Sequence, residues 1–307
     1  MTASKDSNPI SLGPWLFLHV AVIAAFVSSW SAGLAQGGLS HEKTVQHPAV
    51  VSDWLSSALV SQETKSQNSV GRGANVAMHS VTVVNPGETH DGVRLVWIAF
   101  PRNSFVLEVQ RIDKIGPADD LYKATVSDKT ALTVNGGPYF MVKGQTQVPL
   151  GVVIERGTVI SPKAPFTSGG VVFSGSNIPV DIVGIKRFSI SPGIINAIQA
   201  KPLLIENGRI AVGRDKTDRQ FDRTAIGITA NGDLVVAGAF RSDTQALTTY
   251  EFARFLALLR PLKGIALKTA LNLDGATDAH IFFQPTAIHL GYHGTNYVPD
   301  VISIQLK

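Results

Sequence analysis

The chain has 307 residues, 44% of them hydrophobic and only 16% charged, with 27 basic against 23 acidic side chains and a net charge of +4. That excess is small and scattered, without the Lys/Arg run that grips nucleic acid, so DNA and RNA are excluded as leading partners while an anionic small substrate is not. There is no cysteine, which rules out a disulfide framework, a thiolate metal site and a cysteine nucleophile.

Residues 7–40 carry no Lys, Arg, Asp or Glu. Within them 15–27 (WLFLHVAVIAAFV) has the length of a signal-peptide core and is short for a bilayer-spanning helix. Gly33-Leu34-Ala35 puts small side chains where cleavage after Ala35 needs them. The sequence therefore predicts a signal peptide over 1–35 and an exported, periplasmic or secreted protein. Lys5 is the only cation ahead of the apolar stretch, and an uncleaved anchor is the competing reading, because the uncharged span continued through Ser28–Ala35 is just long enough to cross a bilayer. Membrane contact is expected only through such an anchor.

Residues 36–75 mix Ser, Gln, His and charges and are expected to form a flexible spacer, interrupted by a short helix over 53–60 capped by Asp53. From Val76 the texture changes to short runs rich in Val, Ile and Thr, closed by Gly, Pro, Asn or Asp. Strands are expected at 81–84, 93–99, 105–109, 131–134, 151–154, 171–173, 203–205, 225–228, 234–237 and 281–283. Asn207-Gly208 and Asn231-Gly232 sit between such runs as hairpin turns. Thr248-Thr249-Tyr250-Glu251 is a capping box opening a helix with Phe252, Phe255, Leu256 and Leu259 on its apolar face, and Pro261 is expected to end it. The expectation is one strand-rich α+β domain over 76–307, with one or two marked helices.

No G-x-S-x-G elbow, H-E-x-x-H pair, Walker loop or strand–G-x-G-x-x-G–helix unit occurs. His289 and His293 are four apart, but Gly291 between them argues against a helix aiming both at one metal. They read as loop or strand histidines, and no metal site is assigned.

Five blocks occur in a telling order. They are Asn135-Gly136-Gly137; PLGVVIERG over 149–157; KPLLIENG over 201–208; Arg223-Thr224-Ala225-Ile226-Gly227-Ile228; and, after the capped helix, Asn272-Leu273-Asp274-Gly275. Together they resemble the phosphodiester glycosidase family, the bacterial relatives of the enzyme that uncovers mannose 6-phosphate by removing a masking N-acetylglucosamine. Two positions depart from the family pattern. Members usually read N-L-D-G-G where this chain has Ala276, and an Asp-Gly pair where it has Gly238-Ala239-Phe240-Arg241.

The resemblance implies hydrolysis of a sugar-1-phosphodiester, with a sugar phosphate or glycan as substrate. Such a reaction asks for a carboxylate beside an oxocarbenium-like centre and for groups that tolerate the diester's charge. Asp274 is the first carboxylate; on the residues alone it is an ordinary Asp-Gly turn, and the resemblance makes it the site. Asp278 and His280 follow within reach, His280 as an acid/base near neutral pH. Arg223 is the anion clamp, with an ion pair to Asp218 or Asp222 as its alternative, and Arg241 is a weaker substitute. Asn135, Gly136 and Gly137 would orient substrate, or else form a structural turn. Asn272 and Gly275 belong to the same binding set. Tyr139 and Phe140 are candidates to stack on a sugar face, and the capping box explains Glu251. The cofactor is left open: a divalent cation bridging Asp274 and Asp278 to phosphate is compatible, and none is required. The rival reading is an envelope glycan-binding or polysaccharide-assembly protein that has lost turnover on the same fold.

Overall fold

Alternating β-branched and small residues punctuated by turns build a chain that is almost wholly antiparallel sheet, seen in a computed structural model describing residues 54–61, 64–70, 74–84, 89–140, 148–165 and 168–307. Helix α1 (Trp54–Ser61) comes first. Strands β1 (Thr64–Val70), β2 (Ala74–Thr82) and β3 (Arg94–Phe100) then form one edge of an eight-stranded sheet. The chain leaves it for a second sheet with β4 (Phe105–Pro117), helix α2 (Ala118–Lys123) and β5 (Thr130–Asn135). A short ribbon, β6 (Tyr139–Phe140) and β7 (Val148–Pro149), leads into a third sheet of β8 (Val153–Glu155), β9 (Thr158–Ser161), β10 (Gly170–Gly175), β11 (Asp181–Gly184) and β12 (Ile194–Ala200). Strands β13 (Leu203–Glu206), β14 (Arg209–Ile210), β15 (Arg223–Thr229) and β16 (Leu234–Phe240) return to the first sheet, which β17 (Leu267–Asn272) completes after helix α3 (Thr249–Lys263). Strands β18 (His280–Phe283), β19 (Ile288–Gly291) and β20 (Thr295–Leu306) finish the second.

The eight-stranded sheet runs β1-β2-β3-β16-β15-β17-β13-β14, and its central strands β3, β16, β15 and β17 are buried on both faces. Side chains of β3 alternate between them: Leu95 and Trp97 pack with Phe252, Phe255 and Leu259 of α3, while Val96 and Ile98 join a core shared with Leu132, Val134 and Ile302 of the second sheet. One face thus carries helices and the other carries sheets, giving an α+β domain. The second sheet has the order β19-β18-β5-β20-β4.

Each expected strand meets an observed one, usually longer. The 105–109 run extends to Pro117, and 225–228 and 234–237 become adjacent seven-residue strands joined through Asn231-Gly232. Asn207 and Gly208 both have positive φ and turn β13 into β14, as the Asn-Gly signal requires. The capping box is present in both directions. Pro261 does not stop the helix, however. It sits in the final turn, and α3 ends at Gly264, whose left-handed φ of 73° lets its N–H reach the Arg260 carbonyl.

The expected boundary at Val76 lies inside the domain's ordered core, because Leu55 and Leu59 of α1 are fully buried with α3. The proposed cap Asp53 and the 1–35 signal lie outside the described residues. Strand β20 was not anticipated at all. It lies between β4 and β5, and its register slips between Val298 and Asp300 opposite Lys114 and Arg111. Asp113, with φ of 51°, forms the matching bulge in β4. Pro299, which has no N–H to donate, falls at this break in the ladder. Bulges re-aim side chains, and this one lies next to the cleft described below.

Candidate active site

Where β17 ends, the backbone turns over the end of β5. The Asp274 N–H donates to the Gly136 carbonyl, and the Gly275 N–H donates to Asp274 Oδ1 at 2.9 Å. Asn135 ties the two segments together. Its amide nitrogen donates to the Asp274 and Gly136 carbonyls, and its oxygen accepts from Thr224 Oγ1 at 2.7 Å and from the His280 N–H at 3.1 Å. Two donors and two acceptors are the whole capacity of an amide. Asn135 is therefore a positioning residue here, with nothing left over for a ligand. Asn272 likewise works beneath the turn, donating to the Lys201 and Leu273 carbonyls. Ala276 adopts φ of 59°, the left-handed region in which the usual family glycine would be unstrained.

Asp274, Asp278 and Asp300 all face one cleft, walled by Tyr139, Tyr297 and Asn296. Asp278 is the best held. Tyr139 Oη donates to both of its oxygens at 3.2 Å, and Asn296 Nδ2 donates to Oδ1 at 2.8 Å. Burial nevertheless raises its pKa above the usual carboxylate range. Burial, then repulsion from Asp278, pushes Asp274 to about 7, against the pull of the Gly275 N–H. Asp300 is also pushed to about 7, chiefly by burial. The Gly137 N–H gives it partial relief, yet neither carboxyl oxygen meets a donor in hydrogen-bond geometry. A buried polar group left in that condition calls for a partner. Gly136 is obligatory beside it, since a Cβ there would lie 1.7 Å from Asp300 Oδ1.

His280 contributes its ring to the cleft floor but no titratable proton at neutral pH. It is fully buried, and burial followed by the neighbouring His289 drives its pKa down to about 3. Its Nε2 lies 2.9 Å from the Thr277 carbonyl and its Nδ1 lies 3.1 Å from His289 Nε2. A carbonyl only accepts, so His280 carries its proton on Nε2, and His289 must donate from Nε2. His289 Nδ1 and His293 Nδ1 both turn to Asp119 Oδ1.

The remaining expected residues lie around the cleft rather than in its wall. Arg223 is buried with the ion-pair alternative realised: Nη2 reaches Asp218 Oδ1 at 3.3 Å and the Arg219 carbonyl, and Nε reaches the Leu247 carbonyl. Its Nη1 approaches Gly275 from behind the turn. Arg241 donates through Nη1 to the Thr89 carbonyl, and its backbone N–H binds Asp222. Glu251 caps α3 and pairs with His90; burial opposes its charge, but the His90 and Thr248 donors prevail and lower it to about 2. Phe140 is exposed. Sequence reasoning missed Asp300 and Asn296, although an aspartate inside the apolar run VPDVIS was a readable anomaly.

Residues 128–304 match the family model described as phosphodiester glycosidase. The chain is 29% identical over 167 residues to the uncharacterized protein YigE of Escherichia coli K12, covering 51% of this chain and 59% of that relative, so it spans about three fifths of that protein's length. Among solved structures, the zebrafish N-acetylglucosamine-1-phosphodiester alpha-N-acetylglucosaminidase catalytic domain shares the fold, with a TM-score of 0.51 and 15% identity over 80% of this chain and 83% of that one. A hypothetical protein from Synechocystis is also similar, with a TM-score of 0.47 and 14% identity over 76% of this chain and 62% of that one.

Proposed function

The chain belongs to the phosphodiester glycosidase family and so to hydrolases of that type, and on that footing we propose that it is an exported enzyme that separates a sugar's anomeric carbon from a phosphodiester. Export is supported by the apolar stretch at 15–27. The reaction is supported above all by one observation: three aspartates face one cleft, burial raises the pKa of each, and Asp274 and Asp300, which also feel a neighbouring carboxylate, reach about 7.

Such a group titrates together, and near neutral pH it holds protonated and ionised carboxyls side by side. Asp278, bonded by Tyr139 and Asn296, is the member best suited to remain ionised and stabilise positive charge at the anomeric carbon. Asp274 and Asp300 lack such side-chain donors and hold the protons. Water adds to the anomeric carbon, the C–O bond to phosphate breaks, and an ionised carboxylate takes the water's proton while the phosphomonoester departs. Phosphate is a good leaving group with a second pKa of about 6, so little acid assistance is required. Tyr139 and Tyr297, in edge contact at 5.1 Å, offer a wall against which a sugar ring can pack.

Among the described residues lining the cleft there is no Lys or Arg. A diester is therefore tolerated best when the carboxyls are protonated, and kcat/KM should fall as pH rises past about 7. The test is product release from a panel of sugar-1-phosphodiesters by the full chain and its Asp278→Asn variant. Equal release by both, or none from well-folded wild type, sinks the reading. The missing cation favours one alternative, a glycan-binding protein without turnover, which would bind sugar phosphates saturably and release nothing.

A further inference from the structure

Behind the cleft, three side chains from two distant parts of the chain point metal-ligating atoms at one another. Asp119 begins α2, His289 lies on β19, and His293 sits in the following loop. Their ligand atoms all lie within 4.8 Å of one another. His289 is 7% exposed, whereas Asp119 and His293 are 46% and 62% exposed, so the cluster has a fixed base and an open front. Two glycines shape it. A Cβ on Gly291 would lie 2.4 Å from the Ala279 carbonyl, and one on Gly294 would strike the Tyr292 ring. Gly291 lets the end of β19 pack tightly on Ala279, and beyond it His293 stands edge-on to His289 with ring centroids 5.4 Å apart.

Hydrogen-bond accounting makes the cluster more than a coincidence. The Thr277 carbonyl fixes the His280 tautomer, which obliges His289 to donate from Nε2. In a neutral His289, Nδ1 is then a lone pair, and it faces Asp119 Oδ1, a second electron-rich atom. His293 Nδ1 faces the same oxygen at 2.9 Å. A cation among the three would resolve the conflict without adding a proton to a largely buried ring. The donor set, two imidazole nitrogens and one carboxylate, is the kind that takes zinc in sites with an open position. The second imidazole nitrogen of His289, bonded to His280, supplies the supporting contact that metal-ligating histidines normally have.

We propose that Asp119, His289 and His293 form a binding site for a divalent transition-metal ion of the zinc class, separate from the carboxyl cleft. Tetrahedral ligands about 2.0–2.1 Å from zinc stand roughly 3.3 Å apart. Asp119 would swing outward and His293 would close on His289, movements that the exposure of both side chains permits. The ion would hold His289 through Nδ1, His289 would hold His280, and His280 would keep its backbone N–H on Asn135. The site thus stiffens the floor of the cleft without touching substrate.

The experiment is calorimetric titration of chelator-treated full chain with Zn2+, repeated on His293→Ala and Asp119→Asn. Both positions are exposed, so both variants should fold. One ion per chain is expected, with affinity reduced about 100-fold or more in each variant. Co2+ should give a visible d–d band that both substitutions abolish. Zn2+ should raise the Tm of the wild type and not of the variants. Binding of equal strength in all three proteins would assign the ion to other histidines and overturn the proposal. So would the absence of stoichiometric binding, or saturation by Ca2+ in preference to Zn2+.

Discussion

His280 divides two polar regions that follow opposite rules. On its cleft side are three carboxyls with tyrosine and asparagine donors; on its far side are two further imidazoles and one carboxylate. The first region is short of positive charge and compensates by keeping protons. The second is crowded with lone pairs and lacks room for the proton its geometry requires. Burial alone therefore does not decide what a polar cluster does. The balance of donors and acceptors around it does, and the same buried ring serves both sides.

That contrast can be broken most sharply at Asp278, the carboxylate that stays ionised. Replacing it by Asn keeps the shape and removes the titrating group, and turnover on a responsive sugar-1-phosphodiester is expected to fall by about 10³-fold, while zinc affinity stays within twofold. A loss of both would merge the two regions into one site. Next in size is Gly136→Ala. The added methyl meets the Asp300 carboxyl and the backbone around it, and a cost of about 3 kcal/mol or more in urea denaturation is expected. A near-neutral result would show that β5 and β20 can separate at little cost.

A third test concerns pH. Asp222, Asp274 and Asp300 titrate at about 7 in the folded protein, against about 3.9 for an unfolded aspartate. Between those values the folded state binds more protons, so this part of the stability is fully present below about pH 4 and is lost as pH rises through about 7. The urea midpoint should be higher near pH 5.5 than near pH 8, and Asp300→Asn should reduce the difference without abolishing it. A midpoint that rises with pH over that window would contradict the cleft's proton-holding character. The smallest effect is expected at Ala276, whose left-handed φ costs about 1 kcal/mol. Ala276→Gly should recover about that much in a thermal melt and leave zinc binding unchanged.

Local signals in the sequence reached the fold and one half of the cleft. The unbroken apolar run from Leu95 to Phe100, the Asn-Gly turns and the Thr248 capping box are short-range chemistry, and they placed strands and helix correctly. Asp274 and the Asn135 turn were legible because their blocks recur in an order that a family pattern explains, and Asp278 because it follows Asp274 within the reach of a turn. Asp300 was hidden because it sits in a strand whose other residues are apolar, and only a bulge in β4 explains its place beside the cleft. The meeting of Asp119 with His289 and His293 had no sequence signal, since those partners are 170 and 174 residues apart. Arg223 shows the converse. Its motif and the competing ion pair with Asp218 or Asp222 were both readable, while the choice between clamp and pair depended on how the 218–223 segment folds back on itself.

The late strand β20 has a consequence for how the molecule comes into being. It inserts between β4 and β5, which precede it by well over a hundred residues; Tyr297 and its partner Asp113 are 184 apart. Closing such a loop is entropically slow, and chains dominated by distant pairings fold slowly. Until β20 docks, the second sheet has two open edges and the cleft has no Asp300. Partly folded chains should therefore be inactive and prone to edge-to-edge association, and activity should emerge in one late step rather than gradually.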